Sequence, residues 1–565
     1  MSEDDPKPWL AHYDDHVSPE IRIPEKTYVD LLEEGLTHSP ERPALYYMGK
    51  MLTFAELDAL SRNFASFLNR NGYGPGDVVG IDLPNIPEYP IALAGALRAG
   101  CAVTGISPLL TPKEMAYQIN DSGAGCIVIM DALFEERLLK IQNSIPNVKH
   151  ILLANVGTYL PAIKRILGNL LKKIPSGKLV PIPGKEVMLF QNIVSEPVAA
   201  SHQIKITPED TCLIQYTGGT TGLPKGTVLT HRNLVANNIH AKEWTGFEIG
   251  KDILCSGFPF FHLAGLAFGM LALCTANTQC LIPDPRNTKH ICKEIASKKP
   301  TVMAYVPTLY HMLMDNPSFK TLDFSSLKIC VSGAAPFSVE GIHAIESIIG
   351  KGKIMEVYGM TESSPLLTMN PIHGKKKIGS VGIPIQNTMI KLVDLEGGTR
   401  EVHPGEEGEL IARGPQIMKG YHNKPEETGK TLKEFQNKTW LYTGDIARMD
   451  ADGYLYIVDR SKDMLIVGGY KVFSREVEET LYQFPDIEFC AIVGVKDEKR
   501  PGNDIVKAVI QLTKKAGKKD VQAFKQELTQ YCRDNMAPYK VPKVIEIVDA
   551  IPLTAVGKVD KKALR

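Results

Sequence analysis

Short apolar runs alternate with segments of helical periodicity through most of this chain. Positions 54–68 have the spacing of an amphipathic helix. The apolar runs have the length of buried strands and lie at 78–84, 100–108, 126–131, 150–156, 212–219, 301–307, 327–333 and 353–359. Strands that alternate with helices are typical of layered sheets, so we predict an α/β fold with a large N-terminal domain.

The pattern changes twice towards the C-terminus. From about 378 to 460 short alternating strands are separated by Gly and Pro turns, which predicts a β-rich subdomain. A compact α+β unit follows, with predicted strands and helices at 464–469, 474–484, 490–495, 504–512 and 520–536. We therefore predict an N-terminal domain at 1–461 and a small, mobile C-terminal domain at 462–565.

One stretch, 253–283, contains no Asp, Glu, Lys or Arg. Only 263–274 within it is strongly apolar, whereas a membrane span needs about 20 mostly apolar residues. The sequence therefore predicts a buried helix at 263–274 and not a transmembrane segment.

Composition narrows the class of protein. The 565 residues include 64 basic and 64 acidic side chains, and this balance argues against a nucleic-acid partner. The ten cysteines are scattered without a C-x-x-C pair, which is typical of reduced thiols in a reducing compartment. The acidic N-terminus lacks the pattern of a secretory signal. We therefore expect a cytoplasmic protein.

The segment 157–185 has an unusual charge pattern. No acidic residue occurs from Arg137 to Lys185, where nine residues are basic. A predicted helix at 159–174 carries apolar residues on one face, namely Ile163, Ile166, Leu167, Leu170, Leu171 and Ile174. Two interpretations stay open. The helix is a peripheral anchor that contacts the inner face of an anionic membrane, or it packs on the body of the protein.

The strongest local motif follows the apolar run at 212–215. Glycines let backbone N–H groups approach a phosphate, hydroxyls add donors, and a lysine adds charge. These residues are Thr217, Gly218, Gly219, Thr220, Thr221, Gly222 and Lys225. The motif is not a Walker A loop, because Pro224 and Gly226 occupy positions where that loop needs Gly and a hydroxyl. We predict a phosphate-binding loop.

Five further motifs follow in order: SGAAPF at 332–337, YGMTESSP at 358–365, YTGD at 442–445, GYLYIVDRSKD at 453–463 and PLTAVGKVDKKAL at 552–564. With the loop, they resemble the adenylate-forming superfamily of acyl-CoA synthetases, luciferases and adenylation domains. The resemblance extends from about Thr27 to the last residue and is strongest to medium- to long-chain fatty acid:CoA ligases.

This resemblance implies ATP, Mg²⁺ and coenzyme A as ligands and a fatty acid as substrate. Glu362 matches the metal-binding glutamate and Thr361 a phosphate contact. Asp445 matches the carboxylate that accepts the ribose hydroxyls, and Arg460 a second contact to ribose and phosphate. The chemistry needs this charge balance, because a carboxylate must approach the α-phosphate.

Other motif positions match the adenine site. The resemblance places Gly333, Ala334 and Ala335 along the base and stacks Tyr358 on its other face, with Gly359 next in the same motif. Small side chains let a flat base approach closely, and an aromatic ring supplies a stacking surface.

Five positions in the C-terminal part match mobile elements of the family. Lys558 matches the lysine that bridges the substrate carboxylate and the α-phosphate, whereas the neighbouring Lys561 and Lys562 are expected to be solvated. Lys462 matches the pivot about which the C-terminal domain turns. This rotation would exchange Lys558 for a face that binds coenzyme A, which carries Gly468, Gly469 and Tyr470.

The acyl pocket is the least specific part of the pattern. The aromatic segment at 258–266 matches the family's substrate tunnel, and we expect His262 to border the carboxylate. Two other interpretations stay open, an aryl-acid:CoA ligase and a fatty-acid uptake or binding protein at a membrane surface. The oligomeric state is open, with a homodimer as one alternative.

Overall fold

The computed structural model describes residues 7–197, 204–217, 223–497, 500, 502–513, 520–554 and 558–565. Its α-helices are α1 Tyr28–His38, α2 Phe54–Arg70, α3 Glu88–Arg98, α4 Pro112–Ser122, α5 Asp131–Glu136, α6 Ala162–Leu170, α7 Phe190–Ser195, α8 His231–Thr245, α9 Leu263–Cys274, α10 Thr288–Lys298, α11 Pro307–Met314, α12 Val339–Ile349, α13 Pro425–Thr431, α14 Ser474–Tyr482 and α15 Val521–Asn535. Short 3-10 helices lie at Pro8–His12, Leu138–Ser144, Phe319–Thr321, Thr361–Ser363 and Lys561–Leu564.

Two large sheets form the N-terminal body. One has the order β19-β9-β8-β4-β3-β5-β6-β7 and the other β16-β15-β14-β13-β12-β10-β11-β1-β2. Strands of the first are β3 Val78–Asp82, β4 Ala102–Gly105, β5 Ala124–Met130, β6 His150–Ala154, β7 Glu186–Leu189, β8 Thr211–Thr217, β9 Lys225–Thr230 and β19 Gly420–Tyr421. Strands of the second are β1 Pro43–Tyr47, β2 Lys50–Thr53, β10 Ile253–Ser256, β11 Thr278–Leu281, β12 Val302–Tyr305, β13 Ile329–Ser332, β14 Ile354–Gly359, β15 Leu366–Met369 and β16 Ile383–Pro384.

Both sheets are parallel through their centres and antiparallel at edges. The strand β3 pairs in parallel with β4 and β5, and β13 pairs in parallel with β12 and β14. The body therefore has the predicted layered α/β class. Positions 212–217 of the predicted strand at 212–219 lie in β8, and its last two positions lie outside the described residues.

Threonine caps fix where several helices begin. In α1, α2, α4 and α8 the side chain of the preceding threonine accepts a hydrogen bond from the third helical N–H. A side-chain oxygen of that third residue accepts a hydrogen bond from the threonine backbone N–H in turn. This reciprocal arrangement satisfies two otherwise unpaired N–H groups and is a standard helix start. The helix predicted at 54–68 is α2.

Two apolar helices lie in the interior. Every residue of α3 from Glu88 to Leu97 is buried, and Gly95 lies against Ser61 of α2, where a Cβ would meet its carbonyl oxygen at 2.8 Å. The uncharged segment forms α9 at the predicted positions. Among the described residues no helix combines the length and apolarity that crossing a bilayer requires.

A third sheet corresponds to the predicted β-rich subdomain. It consists of β17 Met389–Val393, β18 Glu407–Arg413, β20 Leu432–Phe435, β21 Lys438–Met449 and β22 Leu455–Arg460. The C-terminal domain contains β23 Leu465–Val467, β24 Tyr470–Val472, β25 Ile487–Lys496, β26 Asp504–Leu512 and β27 Val544–Val548, with α14 and α15. The domain boundary at 460–462 stays a prediction; β22 ends at Arg460.

The amphipathic helix is shorter than predicted. The helix α6 ends at Leu170, and Lys172 has φ 51°, a left-handed conformation that stops the helix. Ile174 consequently leaves the helical face and folds back towards Gly157 and Gly168, where a Cβ on Gly168 would lie 2.6 Å from Ile174 Cδ1. The rest of the apolar face points into solvent, with Ile163 73% and Leu170 76% exposed.

Candidate active site

A cleft of about 2350 Å³ lies between the N-terminal body and the C-terminal domain. The chain enters this cleft after β12, β13 and β14, where it contributes Pro307, the 333–336 turn and the 359–362 turn. Because these strands are parallel, their carboxyl ends meet at one edge, which is where ligands bind in open α/β sheets.

Three residues from separate motifs meet on one wall. Tyr358 Oη donates to Asp445 Oδ2 at 2.7 Å, and Arg460 Nε lies 3.0 Å from Asp445 Oδ1. Burial and the nearby Asp445 carboxylate raise the pKa of Tyr358 well above its usual range. The sequence predicted Asp445 and Arg460 as ribose contacts, and the structure adds a hydroxyl that orients the carboxylate.

The turn after β13 needs small residues. Ala334 has φ 66°, a left-handed conformation, and a Cβ on Gly333 would lie 2.9 Å from Val357 Cγ2. At Gly359 a Cβ would lie 1.8 Å from the carbonyl oxygen of Pro365, so no side chain fits there. These backbone segments line the cleft beside Ala335, as an adenine site requires.

A second wall carries the phosphate-loop residues that the structure describes. Thr217 and Lys225 face each other in the β8–β9 register, whereas Gly218, Gly219, Thr220, Thr221 and Gly222 lie outside the described residues. Lys225 Nζ is 2.5 Å from Glu427 Oε2 and 4.9 Å from the centre of the Tyr421 ring.

The predicted metal ligand lies on the same wall. Glu362 is 6% exposed in the 3-10 turn that begins at Thr361, and its Oε1 accepts a hydrogen bond from Tyr421 Oη at 2.7 Å. Tyr421 and Glu427 were not predicted from the sequence, since they belong to β19 and α13, more than 50 positions further along the chain. No sequence motif connected them to Glu362 or Lys225.

Lys558 reaches the cleft from the C-terminal domain. Burial and the positive charge of Arg460 lower the pKa of Lys558 to about 8. His262, which precedes α9 on the opposite side, has its pKa lowered to about 3 by burial and by the charge of Lys558. Its Nδ1 accepts from the Ala264 backbone at 3.4 Å. The structure therefore brings Lys558, His262, Asp445 and Arg460 into one cavity.

The face predicted to bind coenzyme A lies elsewhere. Lys462 contributes to the described lining of the cleft, whereas Gly468, Gly469 and Tyr470 do not. Tyr470 is 58% exposed and stacks on Tyr539 with 4.5 Å between ring centres. Both glycines have positive φ, +61° and +84°, so their backbone forms a tight exposed turn.

Two neighbouring lysines behave differently from each other. Lys561 was expected to be solvated, and this expectation is wrong: its Nζ lies 2.8 Å from Glu478 Oε1 and 2.7 Å from Ser474 Oγ. Lys562 is exposed, as expected. The difference follows from the 3-10 turn at Lys561–Leu564, in which the Lys561 side chain points towards α14 and the adjacent Lys562 side chain does not.

One end of the cleft is apolar. The helix α9 presents one face to it, at positions spaced i, i+3, i+4 and i+7, namely Ala264, Ala267, Phe268 and Leu271. Further apolar lining comes from Phe258, Phe261, Met314, Val331, Val357 and Met369. An uncharged pocket that adjoins a cluster of cations suits an amphiphilic acid, with the carboxylate at the cations and the tail among the apolar residues.

The family models match most of the chain. The model described as "AMP-binding enzyme" matches residues 32–422, and the "AMP-binding enzyme C-terminal domain" model matches residues 476–558. The chain belongs to the AMP-binding enzyme family. The predicted superfamily, the fold class and the AMP-forming acid–thiol ligase class are therefore confirmed.

Relatives and solved structures cover nearly the whole chain. A long-chain-fatty-acid–CoA ligase of Bacillus subtilis is 38% identical, covering 99% of this chain and 97% of the relative. A ligase of the same name from Escherichia coli O157:H7 is 36% identical, covering 99% and 98%. The anthranilate CoA ligase AuaEII in complex with anthranoyl-AMP is 27% identical with a TM-score of 0.81, covering 96% and 97%. ATP-bound MatB from Rhodopseudomonas palustris has 25% identity and a TM-score of 0.80, covering 95% and 98%.

Proposed function

We propose that this protein joins a medium- or long-chain fatty acid to coenzyme A through an acyl-adenylate, with release of AMP and pyrophosphate. The observation that carries this proposal is the junction of an apolar pocket with Lys558, Asp445 and Arg460 in one cleft. The names of the B. subtilis and E. coli relatives support a long acyl chain. The mostly aliphatic composition of α9 supports an alkyl chain over an aryl acid.

In the first half-reaction a carboxylate oxygen attacks the α-phosphorus of ATP, and the bond to pyrophosphate breaks. Two anions must approach each other, so the residues of the cleft have to supply positive charge. Lys558 supplies a cation to the carboxylate and α-phosphate, and Asp445 accepts the ribose hydroxyls. Tyr358 holds Asp445 in place through its hydroxyl hydrogen bond.

Glu362 is suited to hold Mg²⁺. Among the described residues no group of three or more His, Cys, Asp and Glu side chains could hold a metal ion, so phosphate oxygens would supply further ligands. This fits Mg²⁺, which proteins commonly bind through one or two carboxylates plus substrate phosphates. A Mg²⁺ ion held by Glu362 would supply positive charge to offset the negative charge of the leaving pyrophosphate. The hydrogen bond that Tyr421 Oη donates to Glu362 Oε1 orients the Glu362 carboxylate in the cleft.

In the second half-reaction the thiol of coenzyme A loses its proton to water, and the resulting thiolate sulfur attacks the acyl carbon. A C–S bond forms, the C–O bond to AMP breaks, and AMP leaves with the electron pair. The thiol needs space that Lys558 occupies, so we assign to the C-terminal domain a rotation about Lys462 that brings Gly468, Gly469 and Tyr470 to the cleft. No nucleophile of the protein is required.

Pyrophosphate release with a panel of fatty and aryl acids, with and without coenzyme A, tests the proposal. We expect release that depends on a fatty acid, and thioester formation only when coenzyme A is present. A preference for aryl acids would instead support the aryl-acid:CoA ligase. The absence of pyrophosphate release with every acid of the panel would leave the fatty-acid binding protein as the remaining interpretation.

We also assign a peripheral membrane contact to α6 within 159–174. The exposed apolar side chains of Ile163, Ile166 and Leu170 support this assignment over packing on the body. Lys172 and Lys173 flank them, and each cation near an anionic surface contributes about 1 kcal/mol. This contact would place the enzyme beside the lipid phase in which its substrate partitions.

A further inference from the structure

A network of hydrogen bonds joins the C-terminal domain to the last strand of the N-terminal body. The helix α14 begins at Ser474, and the preceding Phe473 has no side chain that can cap it. The missing cap comes from Asp459 of β22, whose carboxylate accepts hydrogen bonds from the Ser474 backbone N–H and, at 3.0 Å, from Ser474 Oγ. A residue on one side of the Lys462 pivot therefore caps a helix on the other side.

The same network extends to the segment that carries the cleft lysine. Lys561 lies three positions after Lys558, donates to Ser474 Oγ at 2.7 Å and pairs with Glu478 Oε1 at 2.8 Å. Glu478 Oε1 also accepts from the Ile492 backbone at 2.7 Å. The Lys561 ammonium therefore links the last turn of the chain to the capped end of α14.

Burial makes these contacts dependent on one another. Asp459 is 6% exposed and Ser474 is fully buried. A buried charge that loses a partner is costly, since water does not replace the lost contact. A rotation about Lys462 would separate Asp459 from Ser474, because they lie on opposite sides of it along the chain, whereas Lys561 and Glu478 would move together within the C-terminal domain. The contacts of Asp459 would then exist only in the orientation in which Lys558 lies in the cleft.

We infer that Asp459, Ser474, Lys561 and Glu478 form an interdomain clasp that holds Lys558 in the cleft during adenylate formation. In this clasp Asp459 and Lys561 are positioning residues, because they act on Lys558 through the backbone and through α14. The inference rests on the proposed function, since it presumes two half-reactions with different orientations of the C-terminal domain.

The two half-reactions, measured separately, test the clasp. For Asp459→Ala we expect the rate of acid-dependent pyrophosphate release to fall by roughly five- to thirtyfold, as when a helix loses its N-cap. Conversion of supplied acyl-adenylate and coenzyme A should stay the same or accelerate. Asp459→Asn keeps one acceptor oxygen and should have a smaller effect. Lys543→Ala, at an exposed position of the C-terminal domain that does not line the cleft, is the matched control and should change neither rate.

Hydrogen exchange provides a readout that does not depend on activity. In Asp459→Ala the amides of 470–482 and of 551–565 should exchange faster than in the wild-type chain, with the β-strands of the N-terminal body unchanged. Lys561→Met should produce the same pattern, because it leaves Glu478 without its cation, and Lys561→Arg should restore adenylate formation.

Failure of the clasp is distinguishable from failure of the proposed function. If the wild-type protein releases no pyrophosphate with any acid, the proposed function is wrong. If the wild-type protein is active but Asp459→Ala and Asp459→Asn slow both half-reactions equally, or slow neither, the clasp is wrong. A thermal unfolding curve for each variant identifies a general loss of stability, which would lower both rates together.

Discussion

At the scale of single residues, our proposal gives the main electrostatic role to Lys558, which lines the cleft. Its ammonium is placed in a partly buried site beside another cation, Arg460, and opposite a neutral His262. Such a site binds an anion strongly because it supplies positive charge that is poorly solvated beforehand. A substrate carboxylate and a phosphate together would balance the positive charge of this site.

Removal of this cation should separate the two half-reactions. For Lys558→Ala we expect adenylate formation to fall by about 10²–10³-fold, the usual effect of deleting one transition-state charge contact. Conversion of supplied acyl-adenylate and coenzyme A should stay near the wild-type rate, because the domain has then turned away. Single-turnover pyrophosphate release and thioester formation measure the two steps. Equal losses in both would contradict this division.

The lowered pKa of Lys558 predicts a pH profile. With a pKa of about 8 the ammonium loses its proton as pH rises through that value, so adenylate formation should decline about tenfold per pH unit above it. Lys558→Arg should be slower overall but flat over the same range, because guanidinium stays protonated. Pyrophosphate release between pH 6.5 and 9.5 checks this, and a decline that persists in the arginine variant would assign the titration to another group.

At the scale of elements, α9 shows what the sequence could specify. Its uncharged run predicted a buried helix over the observed residues, since the pattern alone fixes such an element. By contrast, the ends of α6 were predicted wrongly, because the left-handed Lys172 that stops it depends on where Ile174 packs. Local periodicity was therefore enough to predict that both α9 and α6 are helices, whereas the residue at which α6 ends depends on tertiary contacts.

The face of α9 that lines the cleft should set the length of the acyl chain. Ala267→Phe fills space in the cleft that a long tail would use, and each buried methylene contributes about 0.8 kcal/mol, or roughly fourfold in affinity. We expect kcat/KM for hexadecanoic acid to fall at least about tenfold, with octanoic acid changed by less than about threefold. An equal loss with both acids would indicate damage to the site and not a shorter pocket.

The helix α6 makes a prediction that concerns lipid. Ile166→Glu with Leu170→Glu should lower partitioning onto vesicles of equal parts phosphatidylglycerol and phosphatidylcholine by at least about tenfold, since burial of one such side chain contributes ~1.5–3 kcal/mol. Vesicle sedimentation measures this. Val521→Glu, at a 47% exposed position of α15, is the matched control. Unchanged partitioning of the double variant would assign the exposed face another role.

At the scale of the whole molecule, motifs separated by more than 300 positions meet in one cleft. The sequence predicted Lys225, Glu362, Asp445, Arg460 and Lys558 from motifs that resemble those of the family, and all five line the cleft. It could not identify Tyr421 or Asp459, whose partners are set by how β19 packs on β9 and α14 packs on β22. Side chains that position the site residues are brought to them by tertiary packing, so no local sequence motif reveals them.

Rotation of the C-terminal domain can be tested at its pivot. Proline restricts φ, so Lys462→Pro should hold the domain in the orientation with Lys558 in the cleft, where Gly468–Tyr470 do not line it. Pyrophosphate release should then persist within about threefold, whereas thioester formation should fall by about 10²-fold or more.

Lys462→Ala removes the same side chain without restricting the backbone, so any loss shared by both variants comes from the amine. The pattern expected for Lys462→Pro is the reverse of that for Lys558→Ala. Lys462→Pro keeps Lys558 in the cleft but prevents rotation of the C-terminal domain, whereas Lys558→Ala removes the cation but leaves the domain able to rotate. If Lys462→Pro forms thioester at the wild-type rate, the chain does not pivot at this residue, and the assignment of Gly468, Gly469 and Tyr470 to coenzyme A loses its basis.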